Sequence, residues 1–237
     1  MCGRFGFVKI LNSDENYQWV RLIDTPDPQK KEDQICLFEN NRYDVRPTQN
    51  YPVIYKTPEG SVEAENMKFG LFPDWSKAPI INARMENLEF SKLWKSYIFN
   101  NRCIVLASYF YEWQASGGVK TIPWLIKKRG ADYLMFAALY AIEKDKKTDQ
   151  LIKRFAIITQ NANTKMREIH NHGANKFRQP VILDDDKVET WMNSQVTDMN
   201  EIQCCMRQYQ SDEIDARPLA HIGDDTKNLP PEELHFI

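Results

Sequence analysis

No stretch of this 237-residue chain is apolar for long enough to cross a bilayer; the longest run, Leu134 to Ile142, is far short of the ~20 residues needed. The first residues lack a signal peptide, since Phe5–Ile10 is brief and polar residues follow it. The five cysteines (Cys2, Cys36, Cys103, Cys204, Cys205) are odd in number and show no CxxC spacing. Neither a disulfide framework nor a zinc site is therefore expected, and a reducing, cytoplasmic setting is. There is no internal repeat, no low-complexity tract and no Gly/Ser linker. What remains is the composition of a soluble globular protein, 42% hydrophobic and 27% charged, long enough to bury a substantial core.

A net charge of −2 disfavours a polyanionic partner only until its distribution is read. Residues 184–237 hold 13 acidic and 4 basic side chains, a net of −9. Residues 1–183 hold 27 basic and 20 acidic, a net of +7. An acidic C-terminal segment thus masks a basic body, and a local field matters more to an anionic ligand than the total does.

Segments rich in β-branched and aromatic residues predict strands over Tyr51–Tyr55, Ser61–Gly70, Arg102–Ala107, Pro123–Lys127, Tyr133–Ala138 and Arg154–Thr159. Helices are expected over Asn87–Tyr97, Asn163–His170, Asp184–Asn193 and Asn200–Gln208, with Asp184 as an N-cap. A short helix and a surface loop are expected within residues 13–35, ending in the turn Thr25-Pro26-Asp27-Pro28. Many short strands, few helices and no βαβ rhythm predict an α+β fold in one domain spanning 1–237, with the segment from about 184 packed on it.

Several residues can carry chemistry. Removal of Met1 would leave Cys2 at the N-terminus, where an α-amine of pKa about 8 sits one carbon from a thiol of pKa about 8.5. Such a pair captures an aldehyde as an imine and closes it to a thiazolidine, which no internal cysteine can do. In Asn82-Ala83-Arg84 an extended backbone points the amide and the guanidinium to one face. The amide can hold an amine and the guanidinium can clamp a phosphate; a turn asparagine and a surface arginine fit the tripeptide too. Glu112, among Tyr109, Phe110, Tyr111 and Trp113, is either an outward strand residue or a buried acid whose pKa rises toward neutrality. His170 and His172 are candidate proton carriers, but their i, i+2 spacing is not that of a helical metal pair. No metal and no other cofactor is expected. Trp75, Trp113 and Phe69 are candidate stacking surfaces for unpaired bases, although aromatics are more often core. Arg4, Arg84 and Arg178 are the arginines placed near a phosphate backbone.

Taken in order, these segments resemble the SRAP (SOS response-associated peptidase) family. The matching motifs are Met1-Cys2-Gly3-Arg4-Phe5, Val45-Arg46-Pro47-Thr48-Gln49, Phe69 to Trp75, Ile81 to Glu86, Arg102 to Val105, Phe110 to Trp113, Ile158-Thr159 with Ala162-Asn163, Ile169-His170, and Arg178 to Leu183. Arg217-Pro218-Leu219 resembles the family's closing strand. The resemblance implies a curved, mostly antiparallel, barrel-like β core with peripheral helices. It implies a protein that crosslinks to abasic sites in single-stranded DNA through Cys2, with weak lyase and self-processing activities. Asn82 would then position the α-amine, and Glu112 would assist opening of the sugar and imine formation. His170 would exchange protons with the sugar, Arg84 and Arg178 would hold phosphates, and Trp113 would stack at the junction. A monomer is expected, nucleoid-associated when bound to DNA. A thiol peptidase acting on other proteins, or a non-covalent single-strand binder, are the alternatives. The chain departs from the family pattern at Phe69, where tryptophan is usual, and at residues 171–177, which intervene between His170 and Arg178. It also departs at Gln179, and in Val105–Tyr109, which lacks the usual proline and glycine.

Overall fold

The computed structural model describes residues 3–9, 23–118, 120–145 and 148–237. Cys2 and the amphipathic stretch up to Leu22 lie outside the described residues. In chain order the elements are β1 (Phe5–Phe7), α1 (Pro28–Cys36), β2 (Arg42–Val45), β3 (Asn50–Lys56), β4 (Val62–Phe69), β5 (Asn82–Arg84), α2 (Lys95–Asn100), β6 (Arg102–Ala107), β7 (Tyr109–Ala115) and β8 (Thr121–Lys128). They continue with β9 (Leu134–Lys144), β10 (Leu151–Asn161), α3 (Thr164–Ile169), β11 (Arg178–Pro180), α4 (Val188–Met192), α5 (Met199–Cys204) and β12 (Ile214–Pro218).

Five strands close on themselves. β3 pairs with β4 and β6, β6 with β9, and β9 with β10, all antiparallel; β10 then meets β4 in parallel and completes a barrel. Closure removes the exposed strand edges that an open sheet would present. It also explains the composition of β6 after Arg102 and of β9 up to Ala141, which are apolar and buried at every position rather than alternating. Pro52 has no N–H for a ladder, and it lies in β3 beyond the Ile54–Tyr55 stretch that pairs with β6.

The second sheet, in the order β12-β8-β7-β1-β2, packs on the barrel and is antiparallel throughout. Ser108 is the corner at which one continuous run leaves the barrel as β6 and enters this sheet as β7. Its N–H donates to the Gly6 carbonyl (2.7 Å), and its Oγ accepts from the Val8 N–H (3.0 Å). Because the chain crosses between sheets instead of reversing, Val105–Tyr109 needs neither proline nor glycine. Phe5 fills the gap between the layers, edge-on to Tyr51, Phe69 and Phe136 with ring centroids 4.9, 5.7 and 5.9 Å away. Gly6 beside it admits no side chain, since a Cβ would lie 2.3 Å from the Tyr109 ring.

The α+β class and the barrel-like core agree with the sequence, and the expected strands are present, Arg102–Ala107 at its expected bounds and the others with shifted ends. Two helical expectations need correction. Residues 87–97 are mostly turns, with a 3-10 turn at Met85–Asn87 and a helix only at Lys95–Asn100. The helix expected over Asn200–Gln208 ends at Cys204. Among the described residues of 13–35, the helix follows the proline turn: Asp27 caps it, accepting from the N–H groups of Gln29 (3.0 Å) and Lys30 (3.3 Å), and Pro28 opens the first turn. Proline is favoured there because that N–H would go unbonded anyway. Among the described residues, no helix is long and apolar enough to cross a membrane.

Candidate active site

Alternation along β7 divides its side chains between two environments. Phe110 belongs to the main core, and Glu112, two residues on, shares its face. Tyr109, Tyr111 and Trp113 take the opposite face, against Leu219, Ile222 and Leu234 of the C-terminal segment. Glu112 is therefore a buried acid, 1% exposed, not the outward strand residue that its sequence context equally allowed. Burial penalises its charged form and pushes its pKa up to about 7.

His170 meets it there. Asn163 caps the N-terminus of α3, its Oδ1 accepting the Met166 N–H at 2.8 Å, and His170 ends the same helix. The imidazole is 3% exposed, and its Nε2 lies 3.5 Å from Glu112 Oε2. Its Nδ1 is 2.9 Å from the Arg178 carbonyl, which only accepts, so Nδ1 carries the hydrogen and the neutral ring aims its Nε2 lone pair at Glu112. Burial pulls the His170 pKa down to about 4. With the acid raised and the base lowered, the pair holds one proton, on the Glu112 side, between about pH 4 and 7, and is not a separated ion pair. His172 is exposed, so the structure brings His170 to Glu112 and leaves its neighbour outside.

The end of β10 gathers the next group. β5 pairs with it in parallel at Ile157–Thr159, and β11 pairs antiparallel at Thr159–Asn161. Asn82 is buried, with Nδ2 3.4 Å from the Ile157 carbonyl. Arg84, on the same face two residues on, is exposed and donates to Asn175 Oδ1 at 2.7 Å. Arg178 departs from its expected part as a phosphate contact. It is 7% exposed and forks onto Glu86 at 2.7 and 2.8 Å, with further bonds to Asn161 Oδ1 (3.0 Å) and the Thr159 carbonyl (2.6 Å). Burial works to raise the Glu86 pKa, but the Arg178 fork outweighs it and holds Glu86 below the ordinary carboxylate range. Arg178 instead fixes, through its own carbonyl, the hydrogen bond that orients His170.

Arg4 and Trp113 lie on the other face of β7. The Arg4 guanidinium stacks 5.4 Å from the Trp113 ring centroid and chelates Asp44 at 2.8 and 2.6 Å. Trp75 stands on the loop from β4 to β5 and is 70% exposed. Phe69 is no stacking surface: it is fully buried, face to face with Phe155 at 4.9 Å. The residues between His170 and Arg178 form a strap. Asn171 Oδ1 accepts the Ala115 N–H (2.6 Å), Asn175 holds Arg84, and the Phe177 N–H donates to the His170 carbonyl (2.7 Å). Among the described residues, no three His, Cys, Asp or Glu side chains converge as a metal site.

Sequence reasoning missed Asp44, Glu86 and Asn163. The available signals were the charged alternation Arg42-x-Asp44-x-Arg46 in a strand, and the asparagine that opens a helix.

The family model described as SRAP, SOS response associated peptidase, matches residues 1–222. The chain belongs to the SRAP family. Among SRAP relatives, the Bacillus subtilis (strain 168) protein named abasic site processing protein YoqW is 30% identical over 195 residues, covering 80% of this chain and 84% of that one. The Xenopus tropicalis protein named abasic site processing protein HMCES is 23% identical over 224 residues, covering 80% and 64%. A solved structure from Bacteroides thetaiotaomicron superposes with a TM-score of 0.72 at 24% identity, over 93% of both chains. One from Bordetella bronchiseptica gives 0.69 at 18%, over 93% of this chain and all of the other. These two likenesses establish a shared fold. The matched span takes in Cys2, Asn82, Glu112 and His170, and stops short of the last fifteen residues.

Proposed function

We propose that this protein processes abasic sites in single-stranded DNA by forming a covalent crosslink through Cys2. The observation that carries this reading is the buried, proton-sharing Glu112–His170 pair, in a family whose relatives are named for abasic-site processing. With Met1 removed, in part by self-processing, the Cys2 amine adds to the aldehyde of the ring-opened sugar. Loss of water gives an imine, and the thiol adds across the C=N bond to close a thiazolidine. The net change is aldehyde plus aminothiol to thiazolidine plus one water. Glu112, half protonated near neutral pH, supplies the proton that opens the sugar and then the proton that leaves with the carbinolamine hydroxyl. His170 accepts and returns that proton through Nε2. Asn82 steadies the amine. Arg84 and Arg4 contact phosphates, while Trp113 and Trp75 stack on bases; Arg178 joins the phosphate contacts only by exchanging Glu86. Elimination of the 3′ phosphate from the imine is a slow side reaction, and the thiazolidine suppresses it by consuming the aldehyde. No cofactor takes part, the protein acts as a monomer, and its place is the cytoplasm or nucleoid.

The test is incubation with a single-stranded oligonucleotide carrying one abasic site, read by denaturing gel and intact mass. The expected product has the mass of the Met1-free protein plus the oligonucleotide minus one water, without added reductant, and is absent in Cys2→Ala. No adduct from Met1-free protein would overturn the crosslinking chemistry. A Met1-retaining variant that still hydrolyses peptides would favour a thiol peptidase.

A further inference from the structure

Arg4 and Arg46 converge on one carboxylate. Asp44 Oδ2 accepts from Arg4 Nη2 at 2.6 Å and from Arg46 Nε at 2.7 Å, while Asp44 Oδ1 takes Arg4 Nε at 2.8 Å. The Asp44 side chain is 2% exposed. One buried anion thus holds two cations, and the three together retain one positive charge. The outward edge of Arg46 is where that charge is spent: Nη1 is 2.5 Å from Asp224 Oδ1, and Nη2 donates to the Gly223 carbonyl at 3.1 Å. Asp224 differs from Asp44 in every respect that governs displacement. Its side chain is 79% exposed, and it is carried by a short turn closed by the Gly223 N–H to Thr226 Oγ1 bond at 2.9 Å. It also lies just past residue 222, where the family match ends.

We infer that Arg46 is an additional phosphate subsite beside Arg4, occupied in the free protein by the Asp224 carboxylate as a stand-in for phosphate. This deepens the single-stranded DNA reading above and rests on it. An exposed carboxylate on a guanidinium edge presents the geometry that a phosphodiester oxygen would take, and guanidinium binds the two alike. Arg4 follows Cys2 by two residues, a span of at most ~7 Å along the chain. Arg46 shares Arg4's carboxylate, so its outward edge, once Asp224 leaves it, is a second guanidinium beside Arg4 for the phosphates next to the crosslinked sugar. When DNA binds, a phosphate oxygen replaces Asp224 Oδ1 on Arg46 Nη1 and the 221–226 turn swings free, while Asp44 continues to hold both arginines. The exchange makes binding at this subsite weaker, and less sensitive to salt, than at a bare arginine, because the departing partner is the protein's own carboxylate rather than a counterion.

The test is fluorescence anisotropy with a labelled single-stranded oligonucleotide of intact bases, which removes the Cys2 reaction from the readout, titrated across salt concentrations. Asp224→Asn is expected to tighten binding by about 1.5- to 5-fold at low salt, the range for releasing an exposed ion pair. It is also expected to steepen the slope of log K against log[salt] by about 0.7, one additional counterion for a single strand. Asp225→Asn, one residue on and paired with His221 at 3.0 Å instead, removes the same charge and should leave the slope unchanged. Arg46→Gln should weaken binding, and Asp224→Asn should then add nothing. Wild-type affinity and slope in Asp224→Asn, or equal gains from Asp224→Asn and Asp225→Asn, would overturn the subsite alone. So would a gain that survives Arg46→Gln. Failure of the wild-type protein to bind single-stranded DNA at all would overturn the subsite and the function on which it rests.

Discussion

Glu112 and His170 are the residues at which burial has the largest chemical consequence, and their opposed shifts make separable predictions. Consider pH 5.5, between the ordinary values of 4.5 for the carboxyl and 6.5 for the imidazole. Unfolded, the two groups hold one proton, on histidine. Folded, with values of about 7 and about 4, they again hold one, now on the glutamate side of the pair. Folding neither takes up nor releases a proton there, so the pair contributes a flat dependence of stability on pH. Each single variant uncovers its partner's slope. In Glu112→Gln, His170 stays neutral when folded and protonates when unfolded, so stability should rise with pH between about 4 and 6.5. In His170→Gln, Glu112 stays protonated when folded and ionises when unfolded, so stability should fall as pH rises between about 4.5 and 7. The limiting slopes are about ±1.4 kcal/mol per pH unit, and urea denaturation at half-unit intervals measures them; two slopes of one sign would contradict the shared-proton description. In the crosslinking assay, Glu112→Gln at pH 7 should slow adduct formation by about 10²- to 10⁴-fold, the usual contribution of a positioned acid. Its single-stranded DNA affinity should be unchanged.

At the scale of elements, Arg102 shows how the barrel holds its outer helices. It opens β6, is 4% exposed, and donates to main-chain carbonyl oxygens. Nη1 donates to Ile98 (2.6 Å) and Phe99 in α2, Nε donates to Trp191 in α4 (2.6 Å), and Nη2 donates to Asn193 and to Val196 (3.1 Å). Desolvation lowers its pKa to about 10, yet it remains charged and closes the C-terminal ends of two helices where the helix dipole favours a cation. Arg102→Met keeps the volume and strands those carbonyls, so a loss of about 3 kcal/mol or more is expected from chemical denaturation. Arg102→Lys should recover less than half of it, because one ammonium cannot reach both helix ends. The sequence displayed the strand of this arrangement and not its purpose. Arg102-Cys103-Ile104-Val105 reads as a strand from its β-branched run, while the carbonyls it caps come partly from the helix just before it, at Ile98 and Phe99, and partly from residues about ninety positions later. The same distinction runs through the candidate site. Alternation in β7 sorts Glu112 from Trp113 onto opposite faces, and Asn163 announces α3. That Glu112 faces inward depends on α3 covering that face, and that Arg178 turns to Glu86 depends on β5 and β11 flanking one end of β10. Neither pairing leaves a mark in local composition. The helix expected over 87–97 fails for a related reason: its apolar residues, Leu88 and Trp94, are buried from turns, so burial there required no helical period.

The molecule as a whole separates charge from structure along its length. Its acidic final quarter is a working part of the second sheet. β12 supplies the edge strand beside β8, pairing Ile214 to Pro218 with Lys128 to Trp124. Leu219, Ile222 and Leu234 then cover Tyr109 and Tyr111, the face of β7 opposite Glu112. The carboxylates stand on the solvent side of this layer, where Asp224 pairs with Arg46 and Glu213 with Arg207. One segment thereby packs the sheet with its apolar residues and carries the acidic surface with its carboxylates. Removal of residues 212–237 should therefore not behave as removal of an acidic tail. It would delete three buried aliphatic side chains worth about 1.5–3 kcal/mol each and uncover Tyr109 and Tyr111, against a total stability of about 5–15 kcal/mol for a domain. It would also open β8 to solvent as an unprotected edge. The truncated chain is expected to lose cooperative urea unfolding and to aggregate at neutral pH, whereas Asp224→Asn, which gives up only an exposed ion pair, should keep a sharp transition close to the wild-type midpoint. A truncated chain that keeps a sharp transition at that midpoint would mean the C-terminal layer is merely laid on the sheet, and that Glu112 is held in place from the barrel side alone.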